Sequence, residues 1–457
     1  MSTVAPADPT LPVVDSRHIT RALIASCLGW SLDLFDLFIL LYVAPSIARL
    51  FFPSDHAMIS LAATYASFAV TLLMRPVGSA IFGSYADRHG RKGAMTVAVI
   101  GVGISTALFG VLPTVQNIGL AAPIIFVALR LVQGVFVGGV VASTHTIGTE
   151  SVPARYRGAA SGLIGGGGAG IGALLASIIY LIMSTLFPGP EFDVWGWRCM
   201  FFTGILSSVL GLFIFNMLDE SPLWKHIAEQ KRLKAAARTA SGNVEIIKSP
   251  VKTVFSPPFL SIVLVNLLLT IGGGSGYYLT SGYLPAFLKV VNKVPQSTAA
   301  WILILSSIGV VIGSISAGHL STFIGRKRAF IWLGLIRIVV FPASYLLLAK
   351  TTDIGMIALY ALILGTLGSA SYAPVLIYLN ERFPTAIRAT GTGLSWNIGF
   401  AIGGMMPTFV TLFATTPADI PNTLAVFLVG IGVIFLIGAF ITPETLGNLD
   451  RKETETL

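Results

Sequence analysis

The stretch GSYADRHGRK, residues 83–92, is repeated in outline by GHLSTFIGRK, residues 318–327, at an offset of 235 residues. A second echo pairs ESVPARYRGAASG, residues 150–162, with ERFPTAIRATGTG, residues 381–393, at an offset of 231. Two echoes at nearly one offset identify an internal duplication. Each copy is a short basic segment bordered by long apolar runs, so the halves carry equivalent loops at equivalent places and share one topology.

The runs between the echoes settle the medium. Of 457 residues, 54% are hydrophobic and 11% charged, whereas an average soluble domain is about 25% charged; the mean hydropathy is +0.83. Twelve segments reach the roughly 20 apolar residues needed to cross a bilayer, near 22–47, 58–82, 94–113, 119–146, 158–186, 198–217, 258–287, 298–320, 329–349, 354–379, 390–414 and 423–442. They are continuous rather than alternating, which excludes barrel strands. With the N-terminus in the cytoplasm, 21 of the 29 Lys and Arg fall on that side, five on the other and three inside spans. This bias puts both termini in the cytoplasm of a cell inner membrane.

The net charge of +9 therefore reflects cytoplasmic loops and not a nucleic-acid surface. Residues 1–17 lack the basic-then-apolar order of a cleaved signal peptide. Cys27 and Cys199 lie in or beside apolar segments, which makes them small core residues rather than a disulfide or zinc pair. The expected domains are a cytoplasmic segment over 1–21, a six-helix half over 22–217, a partly helical cytoplasmic linker over 218–256, a second six-helix half over 257–443 and a cytoplasmic tail over 444–457.

The stretch at 83–92 resembles the loop signature of major facilitator superfamily transporters at Gly83, Asp87, Arg88, Gly90, Arg91 and Lys92. The second copy keeps Gly318, Gly325, Arg326 and Lys327, with Thr322 in the place of Asp87. The resemblance implies an all-α fold of twelve transmembrane helices in two pseudo-symmetric halves. Further matches are similar to the metabolite, sialate and aromatic-acid proton symporters: MRPVGSAIFG from Met74, WGWR from Trp195, DESPLW from Asp219, YYLTSGYLPAFL from Tyr277 and PET at Pro443. Arg130, followed by Gln133 and Gly134, resembles the fourth-span signature of proton-coupled members, which implies proton coupling for Arg130. One departure is Val140 after Gly138 and Gly139, where many relatives carry Glu, so coupling has to rest elsewhere. Exporters of this superfamily share a Gly-Pro step in span five; no Pro lies between Pro153 and Pro188, which points to import.

Only two of the twenty acids, Asp33 and Asp36, lie well inside a span. An Asp or Arg at mid-span costs about 2.5–3.5 kcal/mol to insert, so such residues read as functional. At i and i+3 the two acids are expected on one helix face. Each is subject to two opposed influences, loss of hydration and a nearby guanidinium, and can take up and release a proton. They are the expected proton carriers; the alternative is a permanent salt bridge to Arg130 or Arg75. Arg75, Arg130 and Arg337 exceed the two acids by one, which favours an anionic substrate because a guanidinium fork fits a carboxylate. Arg75 and Arg337, from opposite halves, are the expected grips; the alternative for Arg337 is a water-filled crevice or backbone carbonyls.

Candidate specificity residues in the second half are Asn266, Tyr277, Tyr278, Tyr283, Ser369, Tyr372, Trp396 and Asn397, for each of which core packing is the competing reading. Asp87, Arg88, Arg91, Lys92, Glu150, Arg157, Arg326, Glu381 and Arg388 are expected to close the cytoplasmic side through salt bridges. His145 can titrate near neutral pH, or simply end a helix. GLIGGGGAGIG from Gly162 lacks the ending of a phosphate loop and reads as close helix contact. The chain is thus expected to import a small organic acid with protons, by alternating access, as a monomer in lipid. A neutral metabolite or an antiport cycle is the alternative. No cofactor, metal, nucleic-acid partner or enzymatic chemistry is expected.

Overall fold

The computed structural model describes residues 16–89, 91–150, 152–216, 250–384 and 387–450. It is helical throughout, with twelve membrane helices: α1 (Ser16–Phe51), α2 (Ala57–His89), α3 (Arg91–Val111), α4 (Ala121–Glu150), α5 (Ala154–Leu186), α6 (Gly196–Asn216), α7 (Phe259–Val290), α8 (Gln296–Ile324), α9 (Arg326–Leu348), α10 (Ile354–Arg382), α11 (Thr390–Phe413) and α12 (Ile420–Ile441). Eleven are long and apolar enough to cross a membrane on their described residues; α3 adds a shorter apolar stretch at Thr96–Val111. Most of the linker expected at 218–256 lies outside the described residues, and its end is the short helix Pro250–Val254. The side chains of Asp87, Arg88, Arg91, Lys92, His145 and Glu150, and all of Gly90, also lie outside them.

The duplication is visible in the packing. Within the first half α2 lies against α4, α3 against α6 and α1 against α5; within the second α8 lies against α10, α9 against α12 and α7 against α11. The halves meet where α5 packs on α8 and α2 on α11. Glycines make these contacts close. A Cβ at Gly162, Gly166 or Gly170 would meet α8 at Ser314 or Val310 and Val311, whereas one at Gly168 or Gly172 would meet α1 at Trp30 or Ser31. The glycine run of span five thus gives two faces, each with its own partner helix, which is the close-contact role expected from the sequence.

Other motifs tie helix ends. Arg198 of the WGWR stretch donates to the carbonyls of Gly110 and Leu112, each at 2.8 Å, and so satisfies the C-terminal end of α3. Glu444 of the PET stretch accepts from the backbone N–H groups of Arg326 and Lys327 at 2.9 and 3.2 Å, an anion at the N-terminus of α9. Cys27 is buried, Cys199 half-buried, and both are free thiols.

Candidate functional site

The two acids of α1 do not share partners. Asp33 turns to α2, where Arg75 Nη2 lies 3.4 Å from each carboxylate oxygen. Asp36 turns to α6 and α3: Ser207 Oγ donates at 3.2 and 3.3 Å, and Thr106 is a further hydrogen-bond partner. Both acids keep to one side of α1, as expected, and border one cavity beside α3 and α6. Positions three apart differ by about 60° around a helix, enough to aim two short side chains at different neighbours. Asp33–Arg75 is the ion pair weighed from the sequence.

Arg130 reaches Asp36 indirectly. Its Nη1 donates to Gln133 Oε1 at 2.7 Å, and Gln133 Nε2 donates to Thr106 Oγ1 at 2.8 Å. Its guanidinium lies over the Phe109 ring, 4.2 Å from the centroid, with Phe126 at 5.2 Å. The Arg-to-Gln spacing of three places both on one face of α4, and Gly134 lets α4 approach α2, since a Cβ there would meet the Thr71 carbonyl. Asp36, Thr106, Gln133 and Arg130 form one hydrogen-bonded chain across α1, α3 and α4.

Arg337 is not at the junction of the halves. It is buried within the second half, donates to the Gly272 carbonyl at 2.7 Å and faces the rings of Phe435 and Phe341. The backbone-carbonyl reading applies, and the expected grip from two halves is corrected: α9 packs on α12 and α10, away from the first half. Asn266 is likewise internal to its half, 3.4 Å from Ser395 Oγ. Asn397 does bridge the halves, its Nδ2 3.4 Å from Ser79 Oγ on α2.

The remaining candidates form an aromatic layer where the halves meet. Trp396 stacks on Phe400 at 3.8 Å and lies edge-on to Trp30 at 5.7 Å. Tyr372 contacts Trp396 at 5.9 Å and Tyr277 at 5.2 Å. Phe38 meets Tyr277, and Phe68 meets Tyr278. Tyr278 is within electrostatic reach of both Asp33 and Arg75, so the ion pair borders this layer. Arg75 Nε, Tyr277 Oη and Asn397 Oδ1 are buried with no hydrogen-bond partner among the described residues. Ser369 instead bonds Ser314 at 2.5 Å, and Tyr283 bonds Thr411 at 2.9 Å.

The layer is covered on both sides. On one, Tyr65 of α2 stacks on Tyr283 of α7 at 5.2 Å. On the other, Asn380 Nδ2 lies 3.2 Å from Thr149 Oγ1, and Ser161 Oγ accepts from the Ile377 N–H at 3.1 Å. Of the expected gate residues, Arg326 and Glu381 pair at 3.1 Å, both in the second half, and Arg388 and Arg157 donate to backbone carbonyls of their own halves. The Asn380–Thr149 and Ser161–Ile377 contacts join the halves through neutral groups, beside the Arg326–Glu381 salt bridge of the second half. Trp30, Phe38, Phe68 and Phe400 were missed from sequence, although Trp30 stands one turn before Asp33. Thr106 and Ser207 carried no signal, since a hydroxyl in a span is ordinary.

Comparison with known proteins agrees with this architecture. The family model described as Major Facilitator Superfamily matches residues 23–406. The inner membrane metabolite transport protein YhjE of Escherichia coli is 27% identical over 438 residues, spanning 94% of this chain and 95% of that one. A proline/betaine transporter of Escherichia coli is 26% identical, covering 95% and 85%; a putative one of Staphylococcus aureus is 29% identical, covering 95% and 91%. These relatives are metabolite and proline/betaine transporters, so the narrower sialate and aromatic-acid likeness rests on the sequence motifs alone. The partially occluded, inward-open structure of the xylose transporter XylE from E. coli superposes with a TM-score of 0.70 at 18% identity, over 97% of this chain and 100% of that one. Duplicated halves, glycine-lined junctions and a match over most of the sequence lead to one conclusion: the chain belongs to the Major Facilitator Superfamily, as a multi-pass membrane transporter and not an enzyme.

Proposed function

We propose that the protein imports a small carboxylate-bearing metabolite together with protons, across a cell inner membrane with both termini in the cytoplasm. The observation that carries this reading is the buried Asp33–Arg75 pair at the edge of the aromatic layer. A substrate carboxylate can replace Asp33 as the counter-ion of Arg75, provided Asp33 takes a proton. Before binding, the pair sums to zero charge; after a carboxylate and a proton enter, it again sums to zero. Either alone would leave an uncompensated charge in a buried site, at a cost of several kcal/mol. Substrate and proton therefore bind together, which is the thermodynamic content of symport.

Arg75 suits this exchange because Asp33 occupies only Nη2, and Nε has no other partner among the described residues. Asp36 forms a second protonatable station, held by Ser207 and linked to Arg130. The two halves alternate about the α5–α8 and α2–α11 contacts.

A second reading within the same mechanism is favoured by the aromatic layer. Faces of Trp30, Tyr372 and Trp396 suit a quaternary or secondary ammonium held by cation–π attraction, while Arg75 takes the carboxylate, so a betaine-like zwitterion also fits, its extra positive charge being met by the aromatic faces and not by Asp33. Two of the relatives described above are named for proline and betaine. The test is pH outside proteoliposomes under an imposed potential, with simple carboxylates, betaine and proline added in turn. Alkalinisation with a carboxylate-bearing solute is expected. Silence with all of them, alongside a signal from a neutral sugar, would overturn the substrate assignment.

A further inference from the structure

Arg75 Nε, Tyr277 Oη and Asn397 Oδ1 are buried where the halves meet and have no hydrogen-bond partner among the described residues. They ask different things of a solute. A guanidinium N–H only donates, which suits a carboxylate, and a phenol can donate or accept. An amide oxygen only accepts, so it needs an O–H or N–H from whatever lies against it. The heading of the Asn397 amide is fixed by its neighbour on α2. Ser79 Oγ carries one proton and gives it to the Gly138 carbonyl at 2.7 Å. Toward Asn397, 3.4 Å away, the same oxygen can only accept, so the amide presents its NH2 group there and turns Oδ1 aside.

We infer that Asn397 determines specificity: its Oδ1 accepts a hydrogen bond from an O–H or N–H that the substrate carries close to its carboxylate. The inference rests on the carboxylate reading of Arg75 and narrows it to hydroxy acids and to amino acids that keep an N–H. Placement supports this. Ser79 follows Arg75 by four residues, one turn or about 6 Å along the same face of α2. On α11, Trp396 precedes Asn397 and Phe400 follows it by three residues; Tyr278 contacts Phe400 at 6.1 Å and is within electrostatic reach of Arg75. The acceptor and the guanidinium therefore border the same aromatic layer, separated by about the span of a short acid with a hydrogen bond at each end. Asn397 is 2% exposed, so with the halves in contact bulk water does not reach Oδ1. A solute with a donor satisfies it. One without a donor leaves a buried acceptor unpaired, and sites built to make such a bond reject the analogue lacking the group.

Two matched pairs of solutes test the assignment by calorimetry on the purified full chain at neutral pH. N,N-dimethylglycine and betaine are both zwitterions, and in betaine a methyl group replaces the single N–H. The anions 2-hydroxypropanoate and propanoate differ by one O–H. In a pair that binds, the member with the donor is expected to bind about tenfold tighter or more, and Asn397→Leu should bring the two members within about twofold of each other. A loss of packing would weaken both members alike and leave their ratio unchanged, so the ratio separates recognition from structure. Equal affinities in the unaltered protein would overturn the assignment, whether or not the variant folds. So would a preference that survives Asn397→Leu. If none of the four solutes binds, or if Arg75→Gln binds them as well as the unaltered protein does, the carboxylate reading itself fails, and the assignment with it.

Discussion

Asp33 and Asp36 stand three residues apart, yet one faces a guanidinium and the other a hydroxyl. That division assigns them different parts in the cycle. Asp33→Asn keeps the shape but removes the exchangeable charge, so concentrative uptake should be lost while exchange of preloaded substrate persists; uptake still driven by a pH gradient in both Asp33→Asn and Asp36→Asn would remove the acids from proton coupling. Arg75→Lys retains charge without the planar fork. Its substrate affinity should fall about tenfold, or about 1.4 kcal/mol, measured by calorimetry or competition; wild-type affinity would exclude Arg75 from the site. These residues were legible in sequence because an ion at mid-span is rare. Their partners were not, because a 60° difference in heading is decided by which helix lies alongside.

At the scale of elements, glycine placement and helix ends carry the argument. Gly166 of α5 faces Ser314 of α8 and Ser369 of α10 so closely that an added Cβ would overlap both hydroxyls. Gly166→Leu should therefore insert and purify as a monodisperse protein but lose transport, since α5 and α8 form one junction between the halves; normal uptake would show that the approach is dispensable. Glu444 places a carboxylate on the first N–H groups of α9. Glu444→Gln should lower the detergent melting temperature by a few degrees, in line with about 1 kcal/mol for a charge at a helix terminus, and an unchanged melting curve would deny it that role. The glycine run and the PET stretch were both visible in sequence. What each touches was hidden, since contact partners lie more than a hundred residues away, as with Glu444 and Arg326.

At the scale of the molecule, the halves touch on both sides of the aromatic layer, so transport requires one set of contacts to part while the other holds. Thr149 and Asn380, bonded across the halves at 3.2 Å, offer a direct test. A Thr149→Cys/Asn380→Cys pair, free of Cys27 and Cys199, should cross-link under mild oxidation, abolish uptake and regain it on reduction. Uptake that survives verified cross-linking would mean that this side never opens there.

Sequence alone determined the membrane setting, the twelve spans, the duplication and the identities of the buried ions, because each follows from local hydropathy, from repeats at one offset or from the cost of charge in hydrocarbon. Only the tertiary structure decided which of those ions meet. Arg75 and Arg337 look alike in sequence, each a lone cation in an apolar helix. In the fold, α2 lies at the junction of the halves and puts Arg75 against Asp33, while α9 lies at the flank of its half and turns Arg337 onto the Gly272 carbonyl. A guanidinium must find a partner wherever it is buried, and which partner it finds is set by helix packing between segments far apart in the chain.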